Sequence, residues 1–412
     1  MSAPRVLLVA PDRSYRTAAF VGAGRALGIP LTVASWGRAP LALDSGGIRL
    51  DPDSPEASLF RIRDAAVGSP FSAVLATDDV TVLLAHEICL DLGLPTNDPP
   101  ALHASTSKLR FRELCDQHGL FAPRYTVVSP GSSGETNLQS VQYPCVAKPL
   151  SLSASRGVIR CDSREVLEQA IPRIQALVKT EDSGEDCRVL IEDYVEGNEY
   201  SVEALLRDSK LEVIAVFEKP DPLTGPYFEE TIYLTPPRLS EETLSAIHGA
   251  LSGICRALGF REGPLHAELR LQGEEICFIE VASRTIGGRC GKVIEFLTGA
   301  SLEALVLSHA VRRPLSQRKA AVACGVMMIP VPHAGVLRRV EGITAARTVQ
   351  GIVSVEIDVR EGQRLAPWPE GGPYPGFIFA LGDSTDRVEA SLRKAHAHLR
   401  FVTAPELAIQ VW

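Results

Sequence analysis

No apolar run in this chain approaches the ~20 residues that cross a bilayer. The N-terminus shows no charged-then-apolar leader, because Arg5-Val-Leu-Leu-Val-Ala10 is only strand length. Membrane association and export are therefore not expected. The nine cysteines, at 89, 115, 145, 161, 187, 255, 277, 290 and 324, contain no C-x-x-C pair and keep no regular spacing. That argues against a disulfide framework and for reduced, buried thiols, as in a cytoplasmic protein. An excess of basic residues is also missing: 42 Lys and Arg stand against 50 Asp and Glu, a net charge of −8. A broad nucleic-acid surface is not expected from that balance. The first strand is not followed by G-x-G-x-x-G, and Gly22-Ala-Gly24 lies inside a helix, so a dinucleotide site is rejected. No internal repeat is visible.

What remains is a globular chain of 412 residues, 45% hydrophobic and 22% charged, long enough for two to four domains. Residues 5–100 alternate strands (6–10, 31–35, 71–77) with helices, which predicts an open parallel α/β domain over 1–103. Its third strand ends in Asp78-Asp79, at the edge where ligands of open α/β sheets gather; a helix N-cap is the plainer reading of that pair. A helix is expected over 106–118, carrying Lys108 and Arg112, and Pro130-Gly-Ser-Ser-Gly134 reads as a boundary. Strands at 146–148, 157–160 and 189–192 with a helix at 163–178, interrupted by Pro172, form a compact α/β unit. Two long strands follow at 199–206 and 211–218. Leu244, Ile247, Leu251, Ile254 and Leu258 step by three and four along a helix that Gly259 ends. Beyond 316 the texture changes to a small α+β module.

Two acidic residues dominate the centre. Pro264-Leu-His-Ala-Glu268-Leu-Arg-Leu and Ile276-Cys-Phe-Ile-Glu280-Val-Ala-Ser-Arg284 read as strands joined by a turn after Gln272-Gly273. With the turn centred on Glu274, Glu268 and Glu280 are each six residues away and become direct cross-strand neighbours. Like charges placed so are destabilising. A divalent cation removes the conflict, and Mg²⁺ prefers carboxylate oxygens plus phosphates. Period-two alternation adds Arg284 to the Glu280 face, a planar fork suited to a phosphate. The alternative is a solvated hairpin face.

Further signals lie upstream in order. Lys148 ends a strand and is followed by the small-residue loop Ser151-Leu-Ser153-Ala-Ser155-Arg-Gly157, whose N–H groups and hydroxyls could form an anion nest. Glu192-Asp-Tyr-Val195 leads into Glu199 at a strand bend. In this order over residues ~1–400, Lys108, Lys148, the loop, Glu192 to Glu199, then Glu268, Glu280 and Arg284 resemble the ATP-grasp superfamily. The resemblance implies an α/β and α+β architecture: a pre-ATP-grasp domain at 1–103, an ATP-grasp domain at 104–315 with a lid lobe at about 121–195, and a C-terminal module at 316–412. It implies ATP contacts at Lys108, Lys148, Ser153, Ser155, Gly157, Glu192, Val195 and Glu199, Mg²⁺ (or Mn²⁺) on Glu268 and Glu280, and Arg284 on the transferring phosphoryl group.

Within that superfamily, Phe217-Glu-Lys219-Pro, Pro226-Tyr-Phe-Glu229-Glu230 and Glu280-Val-Ala-Ser-Arg284-Thr-Ile-Gly287-Gly288 look like the substrate side of carboxylate–amine ligases such as the L-amino acid ligases. Lys219 then joins the cofactor-binding set, and Glu230 is the candidate to hold an incoming ammonium. Three departures stand out: Ser283 replaces the usual metal-site Asn, the phosphate loop is serine-rich, and Tyr233 stands where relatives often have His. The implied reaction turns a carboxylate into an acyl phosphate with ATP, then forms an amide with release of ADP and phosphate. The implied partners are small carboxylate and amine substrates, with a homodimer left open. A bicarbonate-phosphorylating enzyme like biotin carboxylase or carbamoyl phosphate synthetase, or a non-catalytic ATP-grasp-like module, are the alternatives.

Overall fold

A computed structural model describes every residue except 1–3, 13, 37–46, 52–53, 132–137, 151, 182–185, 315–320, 372–373 and 406–412. The boundary signal at 132–134 and the division at 315/316 lie outside the described residues. The N-terminal part is a four-stranded parallel sheet in the order Ile48–Arg49, Leu31–Ser35, Arg5–Val9, Phe71–Ala76. Its strands are apolar on both faces because helices cover both, as parallel sheets require. The first helix, Arg16–Leu27, ends where Gly28 takes φ +63°, as expected.

A separate helix, Pro99–Thr106, precedes Lys108–Gln117, which is the helix expected over 106–118. Ser107 between them is extended, and its hydroxyl caps the second through Arg110 N–H. The first of these helices runs through the division placed at 103/104. Pro172, by contrast, does not break the lid helix Arg164–Glu181. Leu167, Ala170, Ile171, Ile174 and Val178 are all buried on one face, and that packing outweighs one lost backbone bond. The helix lies on a four-stranded antiparallel sheet in the order Tyr125–Val128, Val189–Asp193, Cys145–Pro149, Ile159–Cys161.

An eight-stranded antiparallel sheet joins the middle of the chain to its end. Its order is Glu275–Ala282, Gly263–Gln272, Asn198–Arg207, Lys210–Lys219, Ile232–Thr235, Ala323–Met328, Gly376–Gly382, Ile352–Ile357. The C-terminal module therefore extends the central sheet by three strands and keeps a separate three-stranded sheet of its own, Arg364–Leu365, Gly335–Glu341 and Arg400–Ala404. Helix Glu241–Leu258 packs Ile247, Leu251, Ile254 and Leu258 against the central sheet and ends at Gly259, φ +85°.

Glu268 and Glu280 are direct partners, as the sequence argument expects, but the route differs. The turn holds two residues, Gly273 and Glu274, so the hairpin starts with Gln272 opposite Glu275 and keeps that register up to Leu269 opposite Phe278. In that register Glu268 would face Ile279. A β-bulge between Glu268 and Leu269 inserts Ile279 as an extra residue and brings Glu280 opposite Glu268. The bulge is held from behind by Arg112, whose two Nη atoms donate to the Phe278 and Ile279 carbonyls at 3.1 and 3.0 Å.

Arg112 is 1% exposed and also pairs with Glu192 of the lid sheet through Nε at 2.7 Å. Removing one member of a buried pair strands the other charge. Arg112→Met is expected to cost about 3–5 kcal/mol in urea unfolding. A loss under about 1 kcal/mol would show that neither the pair nor the bulge depends on this side chain.

Candidate functional site

One large cavity, about 760 Å³, opens between the carboxyl edge of the parallel sheet, the lid, the hairpin and the C-terminal module. Of the residues singled out from the sequence, Lys108, Lys148, Ser153, Ser155, Glu192, Val195, Glu199, Glu230, Glu268, Glu280 and Arg284 all line it. Gly157 and Lys219 stand behind the wall. A second cavity of about 280 Å³ lies between the parallel sheet and the central sheet and holds none of these groups.

At the lid end, Lys148 and Glu192 are both buried and pair at 2.5 Å. Burial alone would raise the Glu192 carboxyl, but Arg112 and Lys148 overcome it and hold the group at about 2. Burial lowers Lys148. Both Glu192 oxygens are thus engaged by cations within the protein. The Val195 carbonyl itself accepts from Arg270 Nη1 at 2.7 Å. Lys108 donates to the Leu152 carbonyl at 2.7 Å and so sits at the mouth of the serine-rich loop. Gly157 takes φ +71°, and a Cβ there would lie 3.3 Å from Leu177 and Pro149. Glycine is needed at that one position of the loop.

The middle of the site is a dense charge cluster. Lys219, 5% exposed, places Nζ at 2.7 Å from Glu199, 2.5 Å from Glu230 and 2.9 Å from Glu268. Tyr233 covers it, its ring centroid 5.0 Å from Nζ. His266 Nδ1 lies 2.5 Å from Glu203 Oε1, and its Nε2 lies 3.6 Å from Glu268. Burial would lower His266, but Glu203 and Glu268 outweigh that and raise it to about 9. Glu203 also accepts from Ile286 N–H at 3.0 Å, tying the cluster to the loop after Arg284. For Glu268, burial is outweighed by Lys219 and His266, which hold it well below the ordinary carboxylate range. Glu230 goes the other way: burial first, then Glu268 and Glu199, raise it to about 7 despite Lys219.

Arg284 is oriented from the N-terminal domain. Its Nε donates to Asp79 at 2.7 Å and its Nη2 to Glu280 at 3.4 Å. Asp78 is the N-cap of helix Asp79–Leu92, the plainer of the two sequence readings, and takes Arg16 at 2.7 Å. Ser283 does not reach the cavity. Its hydroxyl is 3.5 Å from Asn97 Nδ2 and lines the smaller cavity.

The donor set suits a hard divalent cation, and two groupings compete for it. Glu199, Glu230 and Glu268 bring oxygens within 4.8 Å of one another, yet the Lys219 ammonium already sits among them. Glu268 and Glu280 face each other across the hairpin and open to the cavity, which favours that pair.

Comparison with known proteins agrees with this geometry. Residues 141–293 match the ATP-grasp domain and residues 327–404 match the L-amino acid ligase C-terminal domain 2. An L-amino acid ligase from Bacillus licheniformis superposes with a TM-score of 0.81 at 26% identity, covering 98% of this chain and 100% of that one. Protein y4rH of Sinorhizobium fredii is 25% identical over 325 residues, 77% of this chain and 66% of its own. The alanine–anticapsin ligase of Bacillus subtilis is 23% identical over 252 residues, 57% of this chain and 53% of its own. The chain spans about half to two thirds of the length of these curated relatives.

The nine cysteines are free, and no helix among the described residues is long and apolar enough to cross a membrane.

The raised Glu230 carboxyl has a pH consequence. Stability that comes from its neutral form is complete below its ordinary value of 4.5 and is lost as pH rises through about 7. Glu230→Gln is expected to flatten that part of the profile of urea midpoint against pH, measured without Mg²⁺ or nucleotide. His266 contributes a separate decline toward about 9 that the variant should retain. An unchanged slope below pH 7 would show that Glu230 is ionised throughout.

Proposed function

We propose that this chain, an ATP-grasp protein carrying an L-amino acid ligase C-terminal domain, is an ATP-dependent carboxylate–amine ligase that joins amino-acid-like molecules through an acyl phosphate. The observation that carries the reading is one cavity holding Lys108 and Lys148 at its lid end, Glu268 opposite Glu280 at its centre and Arg284 beyond them. The γ-phosphoryl group passes to a carboxylate oxygen, leaving ADP. The amine then attacks the acyl carbon, phosphate leaves, and the amide forms.

The protein contributes position and charge. Lys108, Lys148 and the loop from Ser153 to Gly157 hold the phosphates, and Val195 and Glu199 receive the base and ribose. A divalent cation on Glu268 and Glu280 would supply charge neutralisation at the phosphates. Arg284, pre-aimed by Asp79, addresses the transferring phosphoryl oxygens and then the tetrahedral oxyanion. Glu230, half-ionised near neutrality, is placed to hold the amine and to take its proton. The lid keeps water from the acyl phosphate.

The nucleotide product should be ADP with phosphate, not AMP with pyrophosphate. Hydroxylamine should replace the natural amine and trap a hydroxamate of the acid. Both should hold without bicarbonate in a screen of carboxylates against amines. AMP, or bicarbonate dependence without hydroxamate, would overturn the ligase reading. No ADP release with any acid in the matrix would favour a non-catalytic module.

Arg284→Lys keeps the charge but loses the planar fork. We expect kcat to fall by about 10²-fold with little change in KM for ATP, the pattern of a lost transition-state donor. A defect confined to KM would assign Arg284 to ground-state binding.

A further inference from the structure

The C-terminal module reaches back over the cavity and grips the phosphate loop. Trp368 Nε1 donates to the Ala154 carbonyl at 3.1 Å, and the Gly157 N–H donates to the Pro369 carbonyl at 3.0 Å. Next to them Glu370 takes Arg173 of the lid helix on both oxygens, at 2.5 and 2.8 Å. These contacts bracket two residues in an unusual backbone state: Ala154 and Ser155 have φ of +56° and +54°. Non-glycine residues keep that conformation only where their surroundings impose it. The strap therefore holds the loop in shape.

The same indole faces the other way into the site. Trp368 is 5% exposed, and its ring stacks on Tyr374 with centroids 5.0 Å apart. Tyr374 meets the edge of Phe377 at 6.2 Å, and Met328 completes an apolar wall of the cavity. The Tyr374 hydroxyl is buried in that wall without a hydrogen-bond partner among the described residues. Burial, then Glu230 and Glu229, push its phenol well above the ordinary range, so it is a neutral donor.

We propose that Trp368 couples substrate fit to closure of the phosphate loop: an amino-acid-like substrate with a flat or branched apolar side chain seats on the Trp368–Tyr374 wall, and the same indole holds Ala154 over the phosphates. The identity of the substrate rests on the ligase reading; the grip on the loop does not. Trp368 is a positioning residue on the loop side and a specificity residue on the cavity side. A side chain that leaves the wall unfilled lets the indole shift, the loop relaxes, and water reaches the acyl phosphate, returning the acid with phosphate and ADP.

Trp368→Phe keeps a ring against Tyr374 and removes the indole N–H, whereas Trp368→Leu removes both. Tryptic cleavage after Arg156 is followed with and without Mg²⁺ and a non-hydrolysable ATP analogue, and amide formed per ADP is measured for small and for large apolar substrates. In Trp368→Phe we expect nucleotide protection of the loop to weaken roughly 5-fold, the scale of one buried hydrogen bond, and amide per ADP to fall, with the preference for large apolar side chains kept. Trp368→Leu should lose that preference too. Glu370→Gln, outside the cavity, should weaken protection without changing the preference, and it decides the matter if the tryptophan variants do not fold. Wild-type protection and wild-type amide per ADP in the folded variants would overturn the proposal. If the wild type makes no amide with any pair, the ligase reading fails, while the protection measurement still tests the grip on the loop.

Discussion

A buried guanidinium must satisfy its donors, and Arg112 does so with four hydrogen bonds that tie its helix to two other parts of the fold. Two go to Glu192 in the lid sheet. Two go to the carbonyls of Phe278 and Ile279, which are the residues on the outer strand where the hairpin register shifts. Because side chains alternate along a strand, a one-residue slip exchanges the two faces. Without the bulge, Glu268 would look across at Ile279 and Glu280 would point out of the cavity. The carboxylate pair of the site therefore depends on a defect in the sheet, and the defect depends on an arginine from a helix more than 160 residues upstream. The same arginine holds Glu192 ionised, which in turn holds Lys148 at the lid end of the cavity.

The charge arrangement at the centre follows from burial. Four carboxylates within one apolar shell cannot all stay ionised without compensation. Lys219 compensates three of them at once, and His266, fixed by Glu203, adds a further donor toward Glu268. What the protein's own cations compensate least is the Glu230 carboxyl, which burial, Glu268 and Glu199 raise to about 7 despite Lys219, while Lys219 and His266 hold Glu268 well below the ordinary carboxylate range. Two carboxyls within one cluster therefore sit in opposite regimes, one kept ionised and the other able to exchange a proton near neutral pH.

The parts of the site legible in the sequence were those carried by local pattern. The hairpin pair, Arg284 four residues after Glu280, and Lys148 followed by a small-residue loop all depend on spacing within one or two strands. The turn centre was displaced by half a residue, and the bulge that offsets the error leaves no mark in the pattern, since Ile279 reads as an ordinary strand residue. Lys219 was assigned to ATP from its neighbours in sequence; its place among three glutamates arises only when strands at 199, 219 and 268 lie side by side. The pairings of Asp79 with Arg284, His266 with Glu203 and Trp368 with Ala154 escaped for the same reason, because the partners are 63 to 214 residues apart. The helix read over 106–118 begins at Lys108 because Ser107, read as part of its first turn, serves instead as its cap.

The N-terminal domain contributes more than a platform. Asp79 stands at the first turn of its helix, where the backbone already favours negative charge. Its carboxylate then carries that preference outward to Arg284, across the junction with the central sheet. Arg16 does the reverse, bonding Asp78 on its own domain and leaning toward the Ile286 carbonyl on the other. These two crossed contacts lock the loop after the hairpin against the parallel sheet on one side, as Glu203 locks it from beneath. A rigid-body shift of the N-terminal domain would therefore re-aim Arg284 first and loosen its bond to Glu280, while Glu268 stays held by Lys219 and His266 within the central sheet. The position of Arg284 is thus a property of the interface between two domains, whereas that of Glu268 is a property of one sheet.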